Sequence, residues 1–324
     1  MHYTQTEKYE IIRLVEQSDL GVLRTLRELK VNKTTFYNWY KAYTEKGYQG
    51  LARKPSSRVG SWNSINEADR DKVVEIALEK PELSSREVAW HITDTYSYYI
   101  SESSVYRILK ANGLISTPSF RIMSASDSFK DKTTRVNQMW QTDFTYFKIL
   151  GWGWYYLSTI LDDYSRFIVT WKLCTTMKAE DVKDTLDEAL FKADVPDQSR
   201  PKLLSDNGSC YISNELADYM DLKNMKHVRG RPLHPQTQGK IERYHRSMKN
   251  VVKLNNYFSP GQLEQKLKEF VHYYNYKRYH ESLQNLTPAD VYYGRSEQKL
   301  KRRKVVKHKT LKARKKQYEK INLN

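Results

Sequence analysis

The stretch Trp140-Gln141-Thr142-Asp143-Phe144 decides the fold, because aromatic and polar residues alternate in it as they do in a half-buried strand. Successive side chains of a strand point to opposite faces, so Trp140 and Phe144 share one face. Asp143 lies on the other face, together with Gln141 and Thr145. The stretch therefore predicts a sheet that carries a carboxylate on its polar face.

More strands and helices follow this stretch. The first three predicted strands are Met139 to Leu150, Trp154 to Leu161 and Ser165 to Leu173. Gly151-Trp152-Gly153, between the first two, is a hairpin signal. The later predicted elements are helices at 179–193 and 214–222 and short strands at 202–204 and 226–229. Three antiparallel strands followed by alternating helices and strands predict a mixed α/β sheet.

A second carboxylate, Asp206, ends a predicted strand in Ser205-Asp206-Asn207-Gly208. Open α/β sheets commonly build their sites at this edge, although the same four residues also fit a plain turn. A third, Glu242, lies on a long predicted helix with cations at i+4, i+7 and i+11. These cations are Arg246, Lys249 and Lys253. The alternative for this helix is a solvated face with a Glu-Arg pair.

Together the three carboxylates suit one kind of chemistry. Hard divalent cations such as Mg²⁺ prefer oxygen ligands, and one or two carboxylates often hold them with phosphate and water. Two such ions about 3.5 to 4 Å apart can activate an attacking oxygen and stabilise a leaving oxygen at phosphorus. The cations beside Glu242 would hold a nucleic-acid backbone. The pattern favours metal-dependent phosphoryl transfer.

The N-terminal region predicts a three-helix unit over residues 7 to 46, with Gly21 and the N-cap candidate Asn32 between helices. This is the layout of a helix-turn-helix motif, whose last helix presents its first residues to base edges. A plain three-helix bundle remains the alternative. The predicted base contacts are Lys33, Thr34, Thr35 and Asn38, with Lys41 on a phosphate.

The same layout recurs from Asn66 to Leu114, where Ser84 to Glu87 fits a capping box. Its candidate DNA contacts are Ser103, Ser104, Tyr106, Arg107 and Lys110. The linker between the two units contains Arg53, Lys54 and Arg58, which could enter a minor groove or form a solvated tether. Two such units in tandem would cover a long bipartite DNA site.

The charge of the chain indicates a polyanionic partner. The 324 residues include 55 Lys or Arg against 38 Asp or Glu, a net charge of +17. Much of this excess lies between Arg295 and Lys320, where 13 cations face two Glu. We expect Lys299 to Lys316 of this tail to be disordered, or helical only on nucleic acid, because this segment is too basic to bury.

Other classes of protein are disfavoured. No stretch approaches the roughly 20 apolar residues that span a bilayer, and the N-terminus lacks an apolar signal core, so we expect a soluble intracellular protein without a membrane partner. Cys174 and Cys210 form no CxxC pair, so neither a disulfide framework nor a cysteine zinc site is expected.

These residues resemble the integrase core of bacterial insertion-sequence transposases, which are related to retroviral integrases. The similarity covers about residues 137 to 294 and includes the 35 residues between Asp206 and Glu242. This chain lacks the N-terminal His and Cys zinc domain of the retroviral enzymes, which favours the bacterial branch. The matching motifs are Trp140 to Asp143, Ser205 to Gly208, His234 to Gly239, Tyr274-Asn275, Arg278 to His280 and Leu286 to Asp290.

The resemblance implies a ribonuclease-H-like core behind two all-α helix-turn-helix domains, and a DNA transposase that cleaves and joins strands. It implies that Asp143, Asp206 and Glu242 bind two Mg²⁺ or Mn²⁺ ions and that Lys249 touches DNA near the reacting phosphate. Element ends, target DNA and a homo-oligomer, at least a dimer, would be the partners, in a cytoplasmic, nucleoid-associated complex. The rivals are a domesticated DNA-binding protein and a nuclease without strand transfer.

The sequence also predicts the roles of three further side chains and the bounds of the domains. Asp162 and Asp163 are expected to form a turn, His245 to pack in a helix stripe, and His234 has no assigned role. The predicted segments are 1–46 and 66–115 for the helix-turn-helix domains, 47–65 and 116–136 for linkers, 137–258 for the core, 259–294 for its C-terminal helices and 295–324 for the basic tail.

Overall fold

A computed structural model describes residues 3–18, 20–52, 61–115, 132–229, 238–253 and 256–322. The chain divides into two compact units, residues 1–61 and 62–324. Within the described ranges, no helix combines the length and the apolar character needed to cross a membrane. Outside these ranges lie Arg53, Lys54, Arg58, His234 and most of the 116–136 linker.

The first unit is a three-helix domain. Its helices are α1 (Gln5–Glu16), α2 (Val22–Glu28) and α3 (Lys33–Lys46), followed by a 3₁₀ turn over Gly47–Leu51. Asn32 caps α3 as predicted, since its side chain accepts the Thr34 N–H at 2.9 Å. The buried core consists of Ile12, Val15, Leu26, Val31, Phe36 and Leu51. The unit therefore closes its core with its own residues.

The second helical domain opens the second unit. It contains α4 (Glu67–Glu79), α5 (Ser85–Thr95) and α6 (Glu102–Ala111). The predicted capping box is confirmed, because Ser84 and Glu87 exchange hydrogen bonds across the first turn of α5. Ser101 caps α6 by accepting the Ser104 N–H. Its buried core is Val73, Ile76, Val88, Ala89, Ile92, Ile100, Val105 and Leu109.

A five-stranded mixed sheet forms the centre of the second unit, as the sequence predicts. Its strands are β1 (Met139–Ile149), β2 (Gly153–Asp162), β3 (Ile168–Cys174), β4 (Lys202–Ser205) and β5 (His227–Arg229). The order is β3-β2-β1-β4-β5, with β1 to β3 antiparallel and β4 and β5 parallel to β1. Gly151 and Gly153, with φ of 78° and 93°, permit the tight turn between β1 and β2.

Helices cover both faces of the sheet. On one face, α7 (Ala179–Ala193) and α8 (Asn214–Leu222) pack against a core that includes Trp140. On the other, α9 (Gly239–Val252) and α10 (Pro260–Tyr276) pack against a core that includes Phe147. The alternation of side chains along β1 thus places Asp143 on the α9 side.

Two buried amides fasten the helices to the strands. The Gln141 side chain accepts the Ile241 N–H at 3.0 Å, which holds the first turn of α9 on β1. The Asn275 side chain accepts the Ile168 N–H at 2.9 Å and donates to the Ile168 carbonyl at 3.0 Å. Because each amide satisfies polar groups inside the protein, the helices cannot slide without leaving those groups unpaired.

The basic tail is ordered, which corrects the prediction that it is disordered without nucleic acid. After the short α11 (Pro288–Tyr292), it forms a continuous helix, α12 (Ser296–Asn322), that packs against α5. Its buried stripe is Arg303, Val306, Thr310 and Arg314. These positions recur at three- and four-residue intervals, so α12 buries one face although half of that face is arginine.

Side chains of the second helical domain pair with these arginines. The Arg303 guanidinium donates to both carboxylate oxygens of Asp94, at 2.8 and 2.7 Å, and stacks 4.4 Å from the Trp90 ring. Arg314 donates to the Tyr99 carbonyl and the Asn63 side chain. The Arg303 charge is thus paired with Asp94, and the Arg314 N–H groups are satisfied by neutral acceptors, which compensates for the burial of both side chains.

Candidate active site

Asp143 projects from β1 at the point where the strand leaves its neighbour. Pairing of β1 with β4 covers only Met139–Gln141, so the β4-side edge of β1 opens beyond Gln141. The Asp143 side chain is 22% exposed, and one of its oxygens lies 3.3 Å from the His245 Nδ1. The Asp143 carboxylate is therefore accessible to solvent on one side and contacts the buried His245 on the other.

Glu242 faces the same open cleft as Asp143. The cleft has a volume of about 720 Å³ and lies between β1 and the outer face of α9. Its lining residues are Asp143, Phe144, Thr145, Glu242, His245, Arg246, Lys249, Asn250 and Lys253. The structure thus brings together two predicted carboxylates and the three predicted cations of the α9 face.

Asp206 lies at the end of β4, next to β1 in the sheet. The parallel register pairs Gln141 with Leu204, and its continuation by two residues would place Asp206 opposite Asp143. Both carboxylates also help to raise the pKa of the Cys210 thiol, to about 11, although burial is the larger cause. Asp206 therefore shares the electrostatic environment of Asp143.

One oxygen of Asp206 accepts the Gly208 N–H at 2.8 Å, so this residue also forms the turn that the sequence allowed. Asp206 is not among the side chains that line the cleft of Asp143 and Glu242. Among the described residues, no three His, Cys, Asp or Glu side chains are close enough together to hold a metal ion. The carboxylates of Asp143 and Glu242 share a cleft, and the third lies on the adjoining strand.

His245 packs in the buried stripe of α9, as predicted, and is only 6% exposed. Its contact with Asp143 was not predicted. The spacing carries the signal for it, because His245 follows Glu242 by three residues and so lies on the neighbouring part of the helix surface. The other ring nitrogen, Nε2, is buried without a hydrogen-bond partner. His245 therefore orients Asp143 from inside the core.

Of the two aspartates expected to form a turn, only Asp162 does so with its side chain. Asp162 accepts the N–H groups of Asn137 and Ser165, and burial raises the pKa of its carboxyl. Asp163 also lies in this turn, as predicted, but its side chain makes contacts outside the turn. It accepts the Lys240 ammonium at 2.7 Å and the Gln141 side-chain amide at 2.7 Å.

The Asp163 contacts place a buried polar network behind the active site. Gln141 joins β1 to α9, Asp163 joins Gln141 to Lys240, and Lys240 comes two residues before Glu242. The network fixes the first turn of α9 and hence the position of Glu242. Sequence reasoning missed it because its members come from three separated segments.

The predicted DNA contacts of the helical domains lie mostly on their surfaces. On α3, Lys33, Thr34, Asn38 and Lys41 are exposed and Thr35 is half-buried. On α6, Ser103, Tyr106, Arg107 and Lys110 are exposed, whereas Ser104 is half-buried and its N–H is used in the cap of that helix. The exposed set is free to meet a ligand from one face of each helix.

Comparison with known families agrees with this architecture. Residues 133–235 and 223–288 each match a family described as "Integrase core domain". Residues 2–52 and 35–109 each match a family described as "Homeodomain-like domain". The chain contains an integrase core domain. Its mixed sheet with flanking helices is the ribonuclease-H-like fold, and DNA-binding helix-turn-helix domains precede it.

Characterised relatives match only part of the chain. A 112-residue segment is 30% identical to "Transposase for insertion sequence element IS629" of Shigella sonnei, covering 33% of this chain and 35% of the relative. A 97-residue segment is 32% identical to "Transposase InsF for insertion sequence IS3A" of Escherichia coli K12, covering 29% and 31%. A 116-residue segment is 29% identical to the "Gag-Pro-Pol polyprotein" of simian retrovirus SRV-1, covering 36% and 6%. The chain therefore spans about a third or less of these proteins.

Solved integrase structures are more distant. The HTLV-2 integrase catalytic core domain in complex with magnesium is 18% identical with a TM-score of 0.39, covering 49% of this chain and 97% of that chain. The catalytic core domain of BIV integrase is 21% identical with a TM-score of 0.39, covering 51% and 99%.

Proposed function

We propose that this protein is a DNA transposase that binds the ends of an insertion sequence and catalyses DNA strand cleavage and strand transfer. The observation that carries the proposal is the cleft in which Asp143 and Glu242 face Arg246, Lys249 and Lys253 within an integrase core. Acidic groups for phosphoryl transfer and cations for a phosphate backbone occur side by side there. The similarity to two bacterial transposases supports the same reaction.

The activity is proposed to depend on Mg²⁺ or Mn²⁺. Asp143, Asp206 and Glu242 offer the all-oxygen donor set that a hard divalent cation prefers. The three carboxylates do not form a metal-binding cluster in the described arrangement, and in this proposal they come together around two ions. When bound, such ions supply activation of the attacking oxygen and stabilisation of the leaving oxygen. His245 orients Asp143, and the Gln141-Asp163-Lys240 network orients Glu242.

The rest of the chain binds the DNA substrate in this proposal. In this proposal the exposed residues of α3 and α6 read the terminal repeat of the element, while Arg246, Lys249 and Lys253 hold the end beside the carboxylates. Arg53, Lys54 and Arg58 contact the DNA between the two read sequences. A homo-oligomer, at least a dimer, brings two ends and the target DNA together on the nucleoid, in the cytoplasm.

A joining assay tests this function. The protein is incubated with Mg²⁺ or Mn²⁺, a labelled DNA end of the parent element and a target plasmid. We expect joined product. Cleavage without joining would indicate a nuclease, and binding alone would indicate a DNA-binding protein, so either result would overturn the proposal.

Three variants test the assigned carboxylates. Asp143→Asn, Asp206→Asn and Glu242→Gln should each lower joining about 10³-fold or more, since metal-ion catalysis contributes several kcal/mol. Binding of the DNA end should remain. Asp218→Asn, an exposed carboxylate on α8, is the matched control and should join normally. Normal joining by any of the three variants would remove that residue from the site.

A further inference from the structure

Large apolar side chains lie exposed at the β1–β2 hairpin. Tyr146 and Trp154 are each 51% exposed, and Trp152 is 59% exposed. Leu150 and Phe258 beside them are 65% and 69% exposed. Contiguous exposed apolar surface of this kind marks an interaction site more often than it occurs by chance. We call Tyr146, Trp152 and Trp154 the aromatic platform.

The aromatic platform is held in place by local contacts. Tyr146 and Trp154 lie on adjacent strands, and their rings meet edge to face with centroids 5.4 Å apart. The Trp152 indole N–H donates to the Phe258 carbonyl at 3.0 Å. The rings are thus preorganised, so a ligand would not have to order them on binding.

The aromatic platform adjoins the candidate active site at the open edge of β1. Tyr146 follows Asp143 by three residues, so its side chain points to the opposite face of the strand. The Lys249 ammonium, which lines the cleft of Asp143 and Glu242, lies 4.9 Å from the centre of the Tyr146 ring. A second cation, Lys148, lies 5.8 Å from the Trp154 ring. Aromatic rings and ammonium groups therefore lie side by side, and Lys249 connects them to the cleft of the carboxylates.

This combination fits a particular class of ligand. An apolar protein surface would gain nothing from Lys148 and Lys249, whereas a nucleic-acid strand offers phosphates to the ammonium groups and flat bases to the rings. Bases inside a duplex are stacked on each other and cannot reach the platform. We propose that the aromatic platform binds unpaired nucleotides at the DNA end, next to the phosphate that reacts.

The proposal rests on the proposed function, because it needs a DNA end at the Asp143 cleft. It assigns different parts of the DNA end to different residues of that site. Lys249 holds the backbone at the cleft, while Tyr146 and Trp154 stack on bases that have left the duplex. Stacking offsets the few kcal/mol needed to unpair a base, so a terminal base pair would open more easily on this protein than in solution.

Binding to two DNA ends of the same sequence tests the platform without chemistry. One duplex is blunt and the other has three unpaired nucleotides at the end, and affinity is measured with the full chain in EDTA. The wild type should bind the unpaired end more tightly. Trp154→Ala and Tyr146→Ala should each reduce that preference about 5- to 150-fold, since stacking contributes about 1 to 3 kcal/mol per base.

Two further variants serve as controls. Trp154→Phe keeps an aromatic face and should retain most of the preference. Phe191→Ala removes a ring that is 87% exposed on α7 and should leave the preference unchanged. If Trp154→Ala leaves the preference unchanged but dissociates DNA-free multimers, the surface is an interface between copies and the proposal is overturned.

The outcomes separate this proposal from the transposase function. Equal binding of both DNA ends by the wild type overturns the platform, whether or not the joining assay succeeds. Preference for the unpaired end without any joining supports the platform and overturns only the proposed function.

Discussion

The two helix-turn-helix domains share a layout but differ in their anchorage. Each has three helices around a small apolar core, and each has a side-chain cap on its last helix. The first domain closes as a compact unit with its own residues. The second belongs to the same unit as the sheet, because α12 packs on it through Arg303 and Arg314.

The second helix-turn-helix domain is attached to the core by side-chain contacts. Asp94 of α5 accepts hydrogen bonds from Arg303 of α12 and from Tyr279, which follows α10. Arg303 also donates to the Asn285 carbonyl at 2.9 Å. The second domain is therefore fixed to the integrase core, and with it the distance from α6 to Asp143. In the proposed function, its anchorage sets where the bound DNA lies relative to the cleft.

The largest expected effect comes from removing the Arg303 guanidinium. Arg303→Ala removes the bidentate partner of Asp94 and leaves the Lys299 ammonium, 3.5 Å away, as its cationic neighbour. Loss of one partner of a buried ion pair costs about 3 to 5 kcal/mol, and Lys299 should offset part of that cost. We expect faster amide hydrogen exchange in α5 and α12. Exchange in α1 to α3 should not change, because the first domain does not depend on this pair.

The neighbouring Arg302 is a matched control. Its guanidinium is exposed and makes only 3.4 Å contacts, so Arg302→Ala should change stability by less than about 0.5 kcal/mol. Equal exchange in both variants would show that the second domain is not anchored by Arg303.

The two units should also differ in how their stability depends on pH. Burial lowers the pKa of His91, His227 and His280, and for His280 to about 3, with Arg278 and other nearby arginines adding to the shift. Below pH 6.5, the ordinary pKa of histidine, these side chains bind more protons in the unfolded chain than in the folded one. The free energy of unfolding therefore falls as the pH drops from 7 to 5. The described part of the first unit contains no histidine.

Denaturation followed by hydrogen exchange at pH 7, 6 and 5 checks this expectation. The second unit should lose on the order of 1 to 2 kcal/mol by pH 5, and the first should be nearly unaffected. In the first unit, hydrogen bonds from Thr4 lower the pKa of Glu7, so that contribution is lost only below its ordinary value of 4.5. His280→Gln should flatten the pH dependence of the second unit, whereas His272→Gln at an exposed site should not.

The smallest effect concerns the capping boxes at the starts of α5 and α1, formed by Ser84 with Glu87 and by Thr4 with Glu7. Ser84→Ala removes the hydroxyl that bonds the buried Glu87 carboxylate at 2.7 Å and should cost about 1 kcal/mol. Thr4→Ala removes the equivalent group beside the exposed Glu7 and should cost less. Exchange rates in the first turns of α5 and α1 measure the difference. Equal losses would mean that burial of the box adds nothing.

The elements whose signals are local were predictable from the sequence. Asn32 and Ser84 predict the starts of α3 and α5, because each caps its helix through short-range hydrogen bonds. Gly151-Trp152-Gly153 predicts the hairpin. The position of Asp143 on the α9 side follows from strand alternation alone. Glu242 and its cations could likewise be placed on one helix face from their spacing.

The remaining features depend on partners far along the chain. Arg303 is buried only because Asp94, 209 residues earlier, accepts its hydrogen bonds, and composition alone predicts a solvated tail. The Asp163 side chain meets Lys240 across 77 residues, so the local pattern placed Asp163 in the turn but could not indicate this contact. The contact of His245 with Asp143 likewise requires the docking of α9 on β1.

The anchorage through α12 also dictates an order of events during synthesis. Arg314 is made 251 residues after Asn63, to which it donates a hydrogen bond. The second helix-turn-helix domain and the sheet therefore leave the ribosome before the helix that joins them exists. Contacts over such separations form slowly, so this docking should be the last step of folding. A nascent chain would present a folded second helix-turn-helix domain well before that domain is aligned with the cleft of Asp143 and Glu242.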